Sequence, residues 1–192
     1  IFGSGGLAGG AIKRKIRETG ASLLLPRSSD LDLREQADVR EWFKVNTVDY
    51  VFLAAALVGG IMENKTRKAE FLHDNLMMQC NVIDSAYYSG VKKLLFLGSS
   101  CIYPAGRQHP LREDELLTGL LEPTNDAYAI AKIAGIKQCD FYREQYGFDA
   151  ISIMPPNLYG PGDHFKDENG HVLAALMNRF HLAKMGGYES VT

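Results

Sequence analysis

Four short stretches of the chain, residues 21–25, 50–55, 93–97 and 150–154, are apolar without the polar alternation of a half-exposed strand. A strand reads that way when both of its faces are covered, as in a parallel sheet between layers of helix. Residues 7–18, 34–45, 68–89 and 127–146 lie around them and carry the spacing of helices. Alternation of buried strands with helices predicts an α/β fold, a doubly wound parallel sheet of the Rossmann type. With 192 residues, 46% hydrophobic and 23% charged, there is apolar material for one sizeable core and too little for two ordinary domains.

The first strand of such a sheet is nearly missing, because Ile1-Phe2 runs directly into a glycine cluster. The expectation is therefore that the first strand is truncated and that the true start lies upstream. Gly3-Ser4-Gly5-Gly6-Leu7-Ala8-Gly9 has glycines at the first, fourth and seventh positions. The first allows a tight turn and the last lets a helix pack close to a strand. The backbone N–H groups of the helix after the loop would then point at a pyrophosphate. A glycine-rich loop alone is weak evidence; its place between a strand remnant and a helix makes it a dinucleotide site.

The end of the second strand chooses between dinucleotides. A carboxylate there would hold the ribose hydroxyls of NAD and repel a 2′-phosphate, but Leu23-Leu24-Leu25 is followed by Pro26-Arg27-Ser28-Ser29, with no acidic residue before Asp30. Arg27 can pair with a 2′-phosphate and Ser28 can donate to it, which favours NADP(H); Asp32 and Leu33 suit the adenine edge.

Tyr128 and Lys132 are four residues apart and share a face of the 127–146 helix. A phenol that titrates near ~10 becomes a useful acid–base when a neighbouring ammonium favours its phenolate, and Lys132 is expected to do this. Ser99, just past the 93–97 strand, is placed to hydrogen-bond a reacting carbonyl, and ligands of parallel sheets sit at that end. The glycine loop, the serine-bearing strand end and the Tyr/Lys pair together resemble the extended short-chain dehydrogenase/reductase family. Ala54-Ala55-Ala56 is similar to that family's small-residue stretch beside the cofactor.

The segments Leu97-Gly98-Ser99-Ser100-Cys101-Ile102-Tyr103-Pro104, Glu122-Pro123-Thr124-Asn125 and Asn157-Leu158-Tyr159-Gly160-Pro161 closely resemble one branch of the family, the bifunctional enzymes that epimerise and then reduce a GDP-4-keto-6-deoxy sugar. The resemblance implies a GDP-sugar substrate, an NADP(H) cofactor and a homodimer in the cytoplasm. It implies Ser99, Tyr128 and Lys132 as the reductase triad, Cys101 and His171 as the epimerisation acid/base pair, and Arg179 as a substrate-binding residue. It also sets Ala54, Ala55, Leu97, Gly98, Ser99, Ser100, Tyr128, Lys132, Pro155, Asn157, Leu158 and His171 against the cofactor. Residues 1–162 would form the NADP-binding Rossmann domain and residues 163–192 the beginning of a substrate-binding domain that continues past Thr192. Two positions depart from the pattern: Pro156 stands where the family commonly has Thr, which is expected to alter cofactor affinity, and His164 stands in place of Asn.

Other classes remain open on sequence alone. A 4-epimerase of the same superfamily needs Ser99, Tyr128 and Lys132 but not Cys101 with His171. A non-catalytic NADP-binding sensor typically loses the Tyr/Lys pair, and a chain lacking half of its substrate site would be inactive. A formal net charge of −2 supplies no general basic surface for nucleic acid. Cys80, Cys101 and Cys139 show no metal-binding spacing, and three cysteines cannot all pair within one chain. No apolar run reaches the ~18 residues of a membrane span.

Overall fold

The computed structural model describes residues 1–163, 165, 172–188, 190 and 191. Three strands, β1 (Tyr50–Leu53), β2 (Lys93–Leu97) and β3 (Ala150–Ile153), form a parallel sheet in the order β1-β2-β3. Leu53 lies opposite Phe96, and Leu97 opposite Ile153. Phe2 extends the sheet beyond β1 through a parallel bridge to Leu53, with Phe2 N–H donating to the Phe52 carbonyl and Ala54 N–H to the Phe2 carbonyl, both at 3.0 Å.

The helices are α1 (Leu7–Arg17), α2 (Gln36–Val45), α3 (Ile61–Thr66), α4 (Lys68–Tyr88), α5 (Asp126–Tyr146) and α6 (Val172–Gly186). The crossovers β1-α4-β2 and β2-α5-β3 bring α4 and α5 side by side, and α4 also packs on α2. Val51, Leu53, Leu94 and Phe96 of the sheet meet Val39, Phe43, Val82, Ile83, Ile133 and Ile136 in one core. The expected parallel α/β architecture holds, with helix bounds within two residues of those read from periodicity. The short α3 had no periodic signal long enough to read.

One expected strand does not form. Residues 21–25 carry no strand pairing; their link to the sheet is a hydrogen bond of 2.8 Å from the amino group of Ile1 to the Leu24 carbonyl. A strand is defined by its ladder, and the neighbour available to this segment is Ile1-Phe2 alone, so apolar sequence without a partner remains extended chain. The strands at 50–55 and 150–154 also end earlier than their apolar runs, at Leu53 and Ile153. Ala54 and Ala55, released from the first of these, turn into the site.

Candidate active site

A cleft of about 1790 Å³ opens along the chain ends of the sheet, just past Phe2, Leu53 and Leu97. That exceeds the several hundred Å³ that suit one drug-sized molecule and leaves room for a dinucleotide together with a second ligand.

At one end is the glycine loop. Gly3 has φ +80°, and a Cβ there would stand 2.6 Å from the Ala55 backbone nitrogen. The turn and the small 54–56 stretch therefore fit only because neither presents bulk to the other. A Cβ on Gly9 would collide with the Gly3 carbonyl, so α1 can begin against the loop. Gly6 caps α1 without a side-chain hydrogen bond, and the first turn has no acidic residue. The N–H groups of Leu7, Ala8 and Gly9 belong to the first turn, which has no intrahelical acceptors. Ser4 is buried beneath the loop and Gly5 is exposed at its tip.

Arg27 and Ser28 line the same lobe, as do Asp32 and Leu33. Asp32 is not a free carboxylate. Arg34 grips it through Nε at 3.0 Å and Nη2 at 2.7 Å, and this pulls its pKa down to about 2. Arg34 also reaches Asp74 at 3.0 Å. The acidic charge expected at the adenine edge is thus already matched within the protein.

The reaction end is built by β2 and α5. Past Leu97, Gly98 N–H donates to the Ile153 carbonyl at 2.8 Å and Ser100 N–H to the Pro155 carbonyl at 3.3 Å. Ser99 caps the short 3₁₀ segment Ser100–Ile102, its Oγ accepting from Cys101 N–H at 3.4 Å. Ser99, Ser100, Cys101, Tyr128 and Lys132 all line the cleft, as do Ala54, Ala55, Leu97, Gly98, Pro155, Asn157 and Leu158. Pro156, the departure from the family pattern, lines it as well and has no N–H to offer.

Lys132 is 3% exposed and donates from Nζ to the Leu97 carbonyl at 2.8 Å. Its ammonium lies 4.7 Å from the centre of the Phe96 ring and 5.7 Å from that of Tyr128. Burial brings its pKa down to about 8, opposed by the neighbouring Cys101. Burial also raises Tyr128, with Cys101 adding to the effect. The expectation of a phenolate favoured by Lys132 is therefore corrected: Lys132 is held by a backbone carbonyl, and burial keeps the phenol neutral. Cys101 is likewise pushed up by burial, with Ser99 and Lys132 pulling the other way.

The depressed Lys132 has a measurable consequence. An unfolded lysine titrates near 10.5 and this one near 8, so between those values the unfolded state binds more protons and stability rises with pH. The cost of burying the ammonium is complete below pH of about 8. Thermal unfolding of the wild type and Lys132→Met should show the variant favoured most at neutral pH, with the gap closing as pH approaches 10. A gap that widens with pH would show that the lysine is stabilised in its charged form.

His171 and His164 lie outside the described residues. Arg179 sits on α6, exposed, one turn beyond Leu176 and off the cleft wall, whereas Val172, Leu173 and Leu176 line it. Periodicity alone missed several contributors. Lys13 and Arg17 of α1 line the cleft, at four-residue steps from Gly9; that spacing was visible in sequence. Asn75 of α4, 2% exposed, donates to the Leu57 carbonyl at 3.0 Å and accepts from Leu57 N–H at 2.9 Å, which pins the wall just past β1. In sequence it reads only as one of several polar residues on the buried side of α4, with Gln79 one turn on.

The sequence profile of the NAD dependent epimerase/dehydratase family matches residues 1–192. The chain belongs to that family. It is 58% identical over 192 residues to GDP-L-fucose synthase 1 of Arabidopsis thaliana, covering 100% of this chain and 59% of the relative. It is 50% identical over 184 residues to GDP-L-fucose synthase of Escherichia coli K12, covering 95% of this chain and 57% of the relative. Among solved structures it superimposes on a GDP-L-fucose synthetase from Naegleria fowleri bound to NADP with a TM-score of 0.87 at 32% identity, covering 100% of this chain and 63% of that one. The chain thus spans under two thirds of the length of each of these family members. No helix among the described residues is long and apolar enough to cross a membrane.

Proposed function

We propose that this family member carries the cofactor-binding and catalytic residues of a GDP-L-fucose synthase, which converts GDP-4-keto-6-deoxy-D-mannose to GDP-L-fucose by 3,5-epimerisation and NADPH-dependent 4-reduction. One observation carries the reading: Ser99, Cys101, Tyr128 and Lys132 line a single cleft together with the glycine loop. On this reading residues 1–162 are the NADP-binding domain, residues 163–192 begin a substrate-binding domain, and the protein works as a homodimer in the cytoplasm.

The residues present fit NADP(H). Without Cβ atoms at Gly3 and Gly9 the loop packs against Ala55 and α1 starts directly against the loop, and the first-turn N–H groups from Leu7 to Gly9 are free to donate to a pyrophosphate. Arg27 and Ser28 suit a 2′-phosphate, and Asp32, neutralised by Arg34, does not oppose it. When bound, the cofactor supplies a hydride to C4 of the sugar. The C3 and C5 protons flank the C4 ketone, so removing either leaves an enolate, and Ser99 is placed to hydrogen-bond its oxygen. Cys101 and His171 would exchange those protons. A phenol held neutral by burial is the form that can give a proton, and Tyr128 would deliver it to the C4 oxygen. Arg179 would meet the nucleotide diphosphate only after α6 or the ligand brings them together.

The test is to supply GDP-4-keto-6-deoxy-D-mannose and NADPH to the full-length protein, with GDP-L-fucose formed and NADPH consumed in equal amounts as the expected result. A C4 epimer with no net NADPH consumption would establish the 4-epimerase instead. In fluorescence titrations NADPH should bind more tightly than NADH; equal affinity would remove the role given to Arg27.

A further inference from the structure

The cleft lobe beside the glycine loop carries more positive charge than Arg27 alone. Lys13 and Arg17 succeed Gly9 at four-residue steps, so the three make one stripe of α1. Both cations line the cleft with Arg27 and Ser28. Among the described residues neither these two side chains nor that of Arg27 has a hydrogen-bonding or ionic partner. What sets them apart on α1 is their place on the wall: Arg14, also without such a partner among the described residues, and Lys15, paired with Glu18 at 2.6 Å, are both absent from it.

The carboxylates on this part of the wall, Asp32 and Asp74, are fewer than its cations, Lys13, Arg17, Arg27 and Arg34. Asp32 and Asp74 are held by Arg34, at 2.7 Å and 3.0 Å. Asp30 accepts from the Ser29 hydroxyl at 2.8 Å and from Arg27 N–H at 3.4 Å. Four cations against two carboxylates leave this part of the wall net positive, which raises the local potential and favours a multiply charged anion there. Lys13 lies six residues past Leu7, about 9 Å along the helix axis. The backbone of Lys13 and, further on, of Arg17 is thus displaced from the helix N-terminus where first-turn N–H groups serve a pyrophosphate, and these cations suit a separate anionic group.

We propose that Lys13 and Arg17 complete, with Arg27, a cationic seat for a phosphate on the adenosine ribose, so that α1 sets the cofactor preference together with the segment after residue 25. This rests on the NADP reading above. Lys13 and Arg17 come to the cleft wall from α1, and Arg27 and Ser28 from the segment after residue 25, so the phosphate would be held by two elements that are separate in sequence.

Two probes isolate the contribution. Adenosine 2′,5′-bisphosphate and 5′-AMP differ only in the 2′-phosphate, and calorimetric titration of the full-length protein with each measures what that phosphate adds. Lys13→Gln and Arg17→Gln should each weaken the bisphosphate by about tenfold, the scale of one charge-assisted hydrogen bond, and leave 5′-AMP unchanged. The double variant should lose most of the preference. Arg14→Gln removes the same charge from the same helix but outside the cleft wall, and should change neither probe. The proposal is overturned if both probes weaken equally, if neither weakens, or if Arg14→Gln is as effective. A wild type that shows no preference for the bisphosphate would overturn the NADP reading itself, before any variant is measured.

Discussion

Tyr128→Phe in the full-length protein is expected to lower NADPH oxidation by about three orders of magnitude, the scale of a lost general acid, without weakening NADPH binding. The substitution removes one hydroxyl and keeps the ring, which packs edge-on against Phe71 at 6.5 Å between centroids. The cleft wall should therefore survive. Because burial raises the phenol, it stays protonated through neutral pH. The oxidation rate should then show no ionisation of Tyr128 across the neutral range, and any alkaline limb should track Lys132, near pH of about 8. Near-normal turnover by Tyr128→Phe would mean that another group protonates the C4 oxygen.

Cys101→Ala is expected to separate the two chemistries. On the proposed reading, proton exchange at C3 and C5 uses Cys101 with His171, whereas reduction at C4 uses Tyr128 and the cofactor. Deuterium wash-in from solvent into the 4-keto sugar should fall by about two to four orders of magnitude in Cys101→Ala and persist in Tyr128→Phe. Cys101→Ala should still reduce a ketone supplied already epimerised, since Lys132 is held by the Leu97 carbonyl and does not depend on the thiol for its position. Exchange at the wild-type rate would reduce Cys101 to a packing residue and leave the bifunctional reading without its main support.

The thiol is also a test of how burial acts on this site. Cys101, Tyr128 and Lys132 are all shifted toward their neutral forms, and in each case desolvation is the largest cause. A ligand that fills the cleft dehydrates them further. A negatively charged one would favour the Lys132 ammonium and still oppose the thiolate. Lys132 is thus the group of the three whose charge a ligand can restore.

Much of this arrangement was legible in the sequence, because it depends on neighbours along the chain. Periodicity sets the helices, apolar runs mark β1 to β3, although Tyr50 and Ile153 at the ends of β1 and β3 stay exposed, and a four-residue step puts Tyr128 and Lys132 on one face of α5. The glycines of the 3–9 loop belong to the same class: a backbone at φ +80° and a contact with Ala55 that leaves no room for Cβ demand them. Tertiary structure decided the rest. Residues 21–25 have strand composition but no ladder, since pairing is supplied by another segment. The state of the Tyr/Lys pair was misread because it is set by burial and by a carbonyl 35 residues away in sequence. Asp32, set at the adenine edge by sequence, is held by Arg34, itself shared with Asp74 across 40 residues. Charge and solvation are properties of everything within a few ångströms, whatever its distance along the chain, so a sequence can name the groups at a site while the fold determines which proton each one carries.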